Sequence, residues 1–179
     1  MRAGLGIAGA VLALDQIVKY WVLHIFDLPA RGQVEILPFF SLTMIWNEGV
    51  SLGLLQAGPG VGRWLLVALT SLIAIWIVFW LRRVRHWLSV LGLGLVLGGA
   101  VGNILDRVIY GAVADFVHLH AGGHDFYVFN LADGAITLGV GALIAEAVWG
   151  GGGSRGGPSD AAKPETVKPD AAKNEGDRG

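Results

Sequence analysis

The chain has no cysteine, which excludes disulfides, thiolate nucleophiles and thiolate-held metals and leaves the redox compartment open. It has no basic surplus either. Thirteen Lys and Arg stand against 14 Asp and Glu, and the pI is near 6.5, so no cationic face is available for nucleic acid. Among residues 1–149 no serine lies in a Gly-x-Ser-x-Gly turn. Ser41, Ser51, Ser71 and Ser89 sit in other settings, and Lys19 is the one outer-side base that could serve a serine nucleophile. Charge as a whole is scarce: 15% of the 179 residues are charged, against roughly 25% in soluble domains. Ten of those charges fall in the last 30 residues. What remains, in a chain that is 54% hydrophobic with mean hydropathy +0.59, is too apolar for a water-soluble globule. It reads as an integral membrane protein with a polar tail.

Two stretches, Trp64 to Leu81 and Trp87 to about Asp106, satisfy the requirement of about 20 mostly uncharged residues for a membrane span. Ala3 to His24 is apolar apart from Asp15 and Lys19, and Leu131 to Trp149 apart from Asp133 and Glu146. The expected fold is therefore a membrane all-α bundle of four spans, at about 3–24, 64–81, 87–106 and 131–149, forming one domain over 1–149. The densest basic cluster, Arg82-Arg83-Val84-Arg85-His86, joins the second and third spans. The positive-inside rule puts it in the cytoplasm, and both termini with it. Arg2 and the apolar run to Val11-Leu12-Ala13 have the outline of a cleavable signal peptide. The pattern resumes at Ile17, Val18 and Tyr20 to Leu23, so a span interrupted by charge explains it better. Residues 150–179, rich in Gly, Ser, Ala, Lys, Pro and Glu, are expected to be disordered. Phe40, Leu42, Met44 and Trp46 alternate with Ser41, Thr43, Ile45 and Asn47, which predicts a short outer-face strand, followed by an interfacial stretch at Ser51–Leu55.

Ionisable side chains inside a membrane are costly, and each is a functional-site hypothesis by default. Here they gather at one depth. Asp15 and Lys19 share a helix face at i,i+4 and can pair. Asn103, Asp106 and Arg107 close the outer end of the third span within one helical turn, where Arg107 could hold a carboxylate bidentately. In both groups the structural reading, a buried ion pair and a buttress, leads over direct chemistry. Gly94, Gly98 and Gly102 recur every four residues as a face for close helix contact.

Asp115 and Asp133 differ, because each is an acid in an apolar setting. Two carboxylates close together in low dielectric share a proton. That state suits hydrolysis, one acid deprotonating a water while the other donates to the scissile carbonyl. The residues alone leave a second reading open: Asp133 as a helix-start acid behind an Asn130 N-cap, and Asp115 as an acid at a strand edge. A rival constellation, His118-x-His120 with His124-Asp125, has spacing that could bind a metal.

Taken in order, the motifs resemble the lipoprotein signal peptidases, the type II signal peptidases of the bacterial inner membrane. Asp15-Gln16-x-x-Lys19, Asn47-Glu48-Gly49, Gly98-Gly99-Ala100-x-Gly102-Asn103-x-x-Asp106-Arg107, Val113-Ala114-Asp115-Phe116 and Phe129-Asn130-x-Ala132-Asp133 carry the likeness over about residues 5 to 149. Leu52 departs from it, since the family usually has an aromatic there. The resemblance implies an aspartyl endopeptidase that cuts prolipoproteins just before a diacylglyceryl-modified cysteine, without cofactor or metal. Asp115 and Asp133 would be its dyad. Asn47, Asn103, Arg107 and Asn130 would orient substrate or brace the site, with Asp15, Lys19 and Asp106 in support. Its partners would be the lipidated prolipoprotein and membrane lipid, and one frame holds the whole site, so a monomer suffices. The alternative from another class is a small ion or proton transporter using the intramembrane Asp and Lys. That reading expects polar residues spread through the depth of the spans.

Overall fold

The computed structural model describes residues 1–49, 60–122 and 124–149. Four long helices make the body: α1 (Arg2–Tyr20), extended by one π-helical turn over Trp21–Ile25, α3 (Val61–Leu81), α4 (Trp87–Ile109) and α5 (Leu131–Trp149). A single-turn α2 (Leu28–Arg31) follows the π turn. All four long helices have the length and apolar character to cross a membrane. Helix α3 begins three residues before the expected start and α4 runs three residues past its expected end. Asn103, Asp106 and Arg107 therefore lie inside α4 rather than at its close. The stretch expected at Ser51–Leu55, Leu52 with it, and the tail from 150 to 179 lie outside the described residues.

Helix α4 is the hub, and its glycines make it so. A Cβ on Gly94 would stand 2.8 Å from the Gly4 carbonyl oxygen, and one on Gly98 2.6 Å from that of Ala8. The four-residue glycine repeat thus seats α1 directly on the α4 backbone. The other side of α4 does the same for α5, with Gly92 and Gly139 each facing the other's carbonyl oxygen at 2.7 Å from the missing Cβ. Helix α3 leans in through Ala74, Ile77 and Leu81 onto Ala8, Leu93 and Leu97. Its outer side, with Leu65, Leu69, Leu72, Trp76 and Phe79, stays exposed, as a lipid-facing surface is.

The small β element expected beside the all-α bundle is present and is larger than one strand. Strands β1 (Gln33–Leu37), β2 (Phe40–Asn47), β3 (Val113–Ala121) and β4 (His124–Phe129) form one antiparallel sheet in the order β1-β2-β3-β4. Strand β3 carries no alternation because Val113, Ala114, Asp115 and Phe116 are all buried, and a strand covered on both faces loses the period-2 signal. Strand β2 lies where expected. Its register shifts between Leu42 and Ile45, however, so the alternation breaks and both Ile45 and Trp46 end up exposed. The sheet sits on a second core of Val22, Leu28 and Phe116, flanked by Leu42 and Met44. The π turn places Val22 and Leu23 in the buried interior.

The two ends of the bundle are far apart. The 23 residues of α4 span roughly 35 Å at 1.5 Å per residue. The sheet and the polar motifs lie at one end. At the other lies the basic turn at 82–86, beside a small cluster in which Glu146 accepts a hydrogen bond from Ser89 and meets His86 Nδ1 at 3.2 Å.

Candidate active site

Helix α1 brings Asp15, Gln16 and Lys19 to the sheet end, and α4 brings Asn103, Asp106 and Arg107. Strand β3 carries Asp115, and the start of α5 carries Asn130 and Asp133. The chain runs up α4, through β3 and β4, and down α5, so these residues of α1, α4, β3 and α5 meet at one end of the bundle. The structure resolves them into two groups.

The first is an ion cluster, which Lys19 Nζ links to the second at 3.5 Å from Asn103 Oδ1. Lys19 Nζ lies 2.8 Å from Asp15 Oδ2 and 2.7 Å from Asp106 Oδ2, with all three side chains buried to 2% exposure or less. The i,i+4 pair is there as expected, and Asp106 joins it. Gln16 Nε2 donates to both carboxylates at 3.1 Å. Sequence reasoning gave Gln16 no role because it carries no charge, although an amide in an apolar span already asks for a partner. Gly102 makes the approach possible, since a Cβ there would lie 2.6 Å from Asp15 Oδ2.

The second group is held by amides. Asp115 Oδ1 accepts from Asn130 Nδ2 at 2.6 Å, and Oδ2 accepts from Asn47 Nδ2 at 3.0 Å. Asp133 Oδ1 accepts from Asn103 Nδ2 at 2.8 Å. Asn130 Nδ2 also reaches Asn103 Oδ1 at 3.3 Å, so the route from one acid to the other is Asp115–Asn130–Asn103–Asp133. Asn47 is itself fixed by the Gly49 N–H donating to its Oδ1 at 2.9 Å. Burial pushes the Asp115 carboxyl up to about 6; the Asn47 amide opposes the rise and the nearby Asp133 carboxylate adds to it. A cavity of about 630 Å³ opens onto Asp115, with Asn47, Trp46, His118 and Tyr127 in its wall.

The helix-start reading of Asp133 is met. The Asp133 N–H donates to Asn130 Oδ1 at 3.0 Å, and Asp133 Oδ2 stands 3.4 Å from the Asn130 N–H. That is the reciprocal geometry of a capping box. Its other oxygen remains bound to Asn103. Asp115 is not at a strand edge, because β3 is an interior strand of the sheet. Arg107 corrects an expectation. It pairs with no carboxylate among the described residues and donates from Nη1 to the Asn103 carbonyl oxygen at 3.3 Å. Neighbours on a helix point about 100° apart, so when Asp106 turns to Lys19, Arg107 cannot follow it. His118 and His124 have other partners, whereas His120 Nε2 is buried with no hydrogen-bond partner among the described residues. His118 Nδ1 lies 3.0 Å from Thr43 Oγ1 and its Nε2 lies 3.3 Å from Asp125, while His124 Nδ1 meets the Gly122 carbonyl oxygen. Among the described residues no three His, Asp or Glu side chains come together as a metal-ligand group.

A four-span bundle that gathers buried carboxylates and amides at one end, beside an open cavity, is the frame of an integral membrane enzyme. Comparison with known proteins says which kind. The family model for signal peptidase (SPase) II matches residues 7–149. A lipoprotein signal peptidase from Methylobacterium sp. (strain 4-46) is 53% identical over 146 residues, covering 82% of this chain and 88% of that protein. Another, from Methylobacterium radiotolerans, is 46% identical over 168 residues, covering 94% and 95%. A solved structure described as a bacterial membrane enzyme, obtained by the in meso method at 2.3 Å resolution, superposes with TM-score 0.70 at 26% identity and covers 94% of this chain and 96% of that one. The chain belongs to the signal peptidase II family. It is a protease and a multi-pass protein of the bacterial inner membrane. Family membership sets aside the transporter alternative, and the gathering of polar groups at one depth agrees.

Proposed function

We propose that this chain removes the signal peptide from diacylglyceryl-modified prolipoproteins by cutting just before the lipidated cysteine, with Asp115 and Asp133 as its catalytic pair. The observation that carries the assignment of the pair is Asn130. Its amide nitrogen donates to Asp115 while its carbonyl oxygen receives the backbone N–H of Asp133, so one side chain ties the two acids together inside a signal peptidase II chain.

The pair begins with one proton. The ionised acid takes a proton from water, and the hydroxide oxygen bonds to the scissile carbonyl carbon while the protonated acid donates to the carbonyl oxygen. Collapse of that diol breaks the C–N bond and passes a proton to the cysteine nitrogen. The signal peptide leaves as an acid, and the pair is restored to one proton. Asn47, Asn103 and Asn130 hold the acids through neutral donors. Arg107 braces α4 at Asn103 and adds a positive field near the pair, while Asp15, Lys19 and Asp106 support it from below.

The basic turn at 82–86 sets orientation by the positive-inside rule. With that turn in the cytoplasm, both termini are inside and the site lies near the outer face. The acyl chains of the substrate then stay in the bilayer while its peptide bond reaches the interface. One chain carries both acids, so the monomer is the working unit. Cleavage of a diacylglyceryl-modified prolipoprotein in detergent by wild type, Asp115→Asn and Asp133→Asn, each with and without chelator, tests the reading. Loss of cleavage in both folded variants, with no chelator effect, is the expected result. Near wild-type cleavage by either variant removes that acid from the pair, and chelator-sensitive cleavage moves the chemistry to the His118–His124 region.

A further inference from the structure

The cluster of Asp15, Lys19 and Asp106 does not close entirely on itself. Each carboxylate also accepts one main-chain N–H from another element. Asp15 Oδ1 accepts from Ala132 at 3.0 Å, and Asp106 Oδ2 accepts from Ala114 at 3.2 Å. Ala132 and Ala114 are both fully buried. They are also the residues directly before Asp133 and Asp115. We propose that the three-ion cluster is a positioning device in which one ammonium holds two carboxylates, and each carboxylate grips the backbone one residue upstream of one acid of the pair. The proposal rests on the reading of Asp115 and Asp133 as that pair.

Three observations give it weight. The Ala132 N–H belongs to the first turn of α5, where helix donors have no partner within the helix. Water or a local side chain could satisfy it, yet α1 supplies a carboxylate from 117 residues away. A hydrogen bond to an ionised acceptor is shorter and stronger than a neutral one, and a trans peptide keeps successive Cα atoms 3.8 Å apart. Fixing the N–H of residue 132 or 114 therefore fixes where the next Cα, that of the acid, can lie. Finally, every carboxylate oxygen in the cluster has a donor: Ala132 N–H, Lys19 and Gln16 for Asp15, and Lys19, Ala114 N–H and Gln16 for Asp106. Apolar packing of the same volume would be no less stable than buried ions. What the ions add is a common anchor for α1, α4, β3 and α5, and so a defined separation of the two acids.

The test measures kcat, KM and folded fraction for full-length enzyme in detergent on a diacylglyceryl-modified prolipoprotein. Asp15→Ala and Asp106→Ala each remove one grip. Each is expected to lower kcat by about a hundredfold, the scale of an ångström-level misplacement, with KM within about twofold. The triple variant Asp15→Asn, Lys19→Met, Asp106→Asn removes all three charges yet keeps a carbonyl oxygen for each N–H. It is expected to recover at least about tenfold in kcat over either Ala variant, which a purely electrostatic role would not allow. Wild-type kcat in either Ala variant overturns the proposal. So does a loss that merely tracks the folded fraction, or a folded triple variant no better than the Ala variants. Should the Ala variants fail to fold, the triple variant decides by itself: folded and at least one-tenth as active as wild type supports backbone gripping, and anything less overturns it. Asp115→Asn and Asp133→Asn, run alongside, report on the pair. Activity in those two sinks the reading beneath, whereas their inactivity beside fully active Asp15 and Asp106 variants sinks the positioning role alone.

Discussion

The two carboxylate pairs at the sheet end lie within a few residues of each other in space and are treated in opposite ways. Asp15 and Asp106 share a lysine at 2.8 and 2.7 Å. Among the described residues Asp115 and Asp133 receive only amides, from Asn47, Asn103 and Asn130. An acid paired with a buried cation is tied to it, because removing either partner strands the other. An acid given neutral donors is held in place without a counter-ion. The structure thus separates an ion-paired set of acids from an amide-held set, by the charge of the partner; on the proposed assignment the first holds the site and the second transfers the proton.

The strongest way to break the contrast is to remove titration from the amide-held pair. Asp115→Asn and Asp133→Asn keep size and shape, and each is expected to lower cleavage by about 10³-fold or more, within the range of acid–base catalysis, with the helical far-UV spectrum retained. Next comes the contact that lets the clamped pair form. Gly102→Ala places a Cβ against Asp15 Oδ2, so turnover should fall by about tenfold or more in purified, folded enzyme. A smaller effect should follow from Asn47→Ala, and its sign comes from the Asp115 carboxyl, which stands at about 6 and is lowered by the Asn47 hydrogen bond. If the pair shares one proton, kcat/KM is bell-shaped and its alkaline limb marks loss of that proton. Removing Asn47 raises the Asp115 pKa and moves the limb to higher pH. A limb that stays or moves down, or a wild-type rate that rises monotonically through the acidic and neutral range, would contradict the shared proton. The least effect belongs to the far end. Glu146 meets His86 and Ser89 about the length of α4 away, so Glu146→Gln should leave kcat/KM within about twofold of wild type.

Much of this was legible without coordinates, and the reasons differ by residue. The spans show in apolar runs because a bilayer demands length and composition, whatever the neighbours. The Asp15–Lys19 pair shows in its i,i+4 spacing, a property of any helix. The glycine repeat of α4 announces a close contact but not its partner; α1 on one face and α5 on the other came only from packing. Strand β2 was visible through its alternation, whereas β3 was not, because burial on both faces removes the pattern. Gln16 stands in the first-helix motif, but its lack of charge gave no sign of its role. Arg107 was assigned a carboxylate because Asp106 adjoins it in sequence, yet adjacency on a helix separates side chains.

By itself, then, the sequence determined the solvent, the number of crossings, and which residues are too polar for their surroundings, since these depend on composition and local period. Tertiary structure alone decided which acid received a cation and which received amides. Lys19 lies four residues from Asp15 but 87 from Asp106 in the chain, and Asn130 touches Asp115 from another element. No local rule relates such residues. They meet because the glycine faces of α4 draw α1 and α5 onto its backbone, and the height at which the helices stop sets which polar groups coincide.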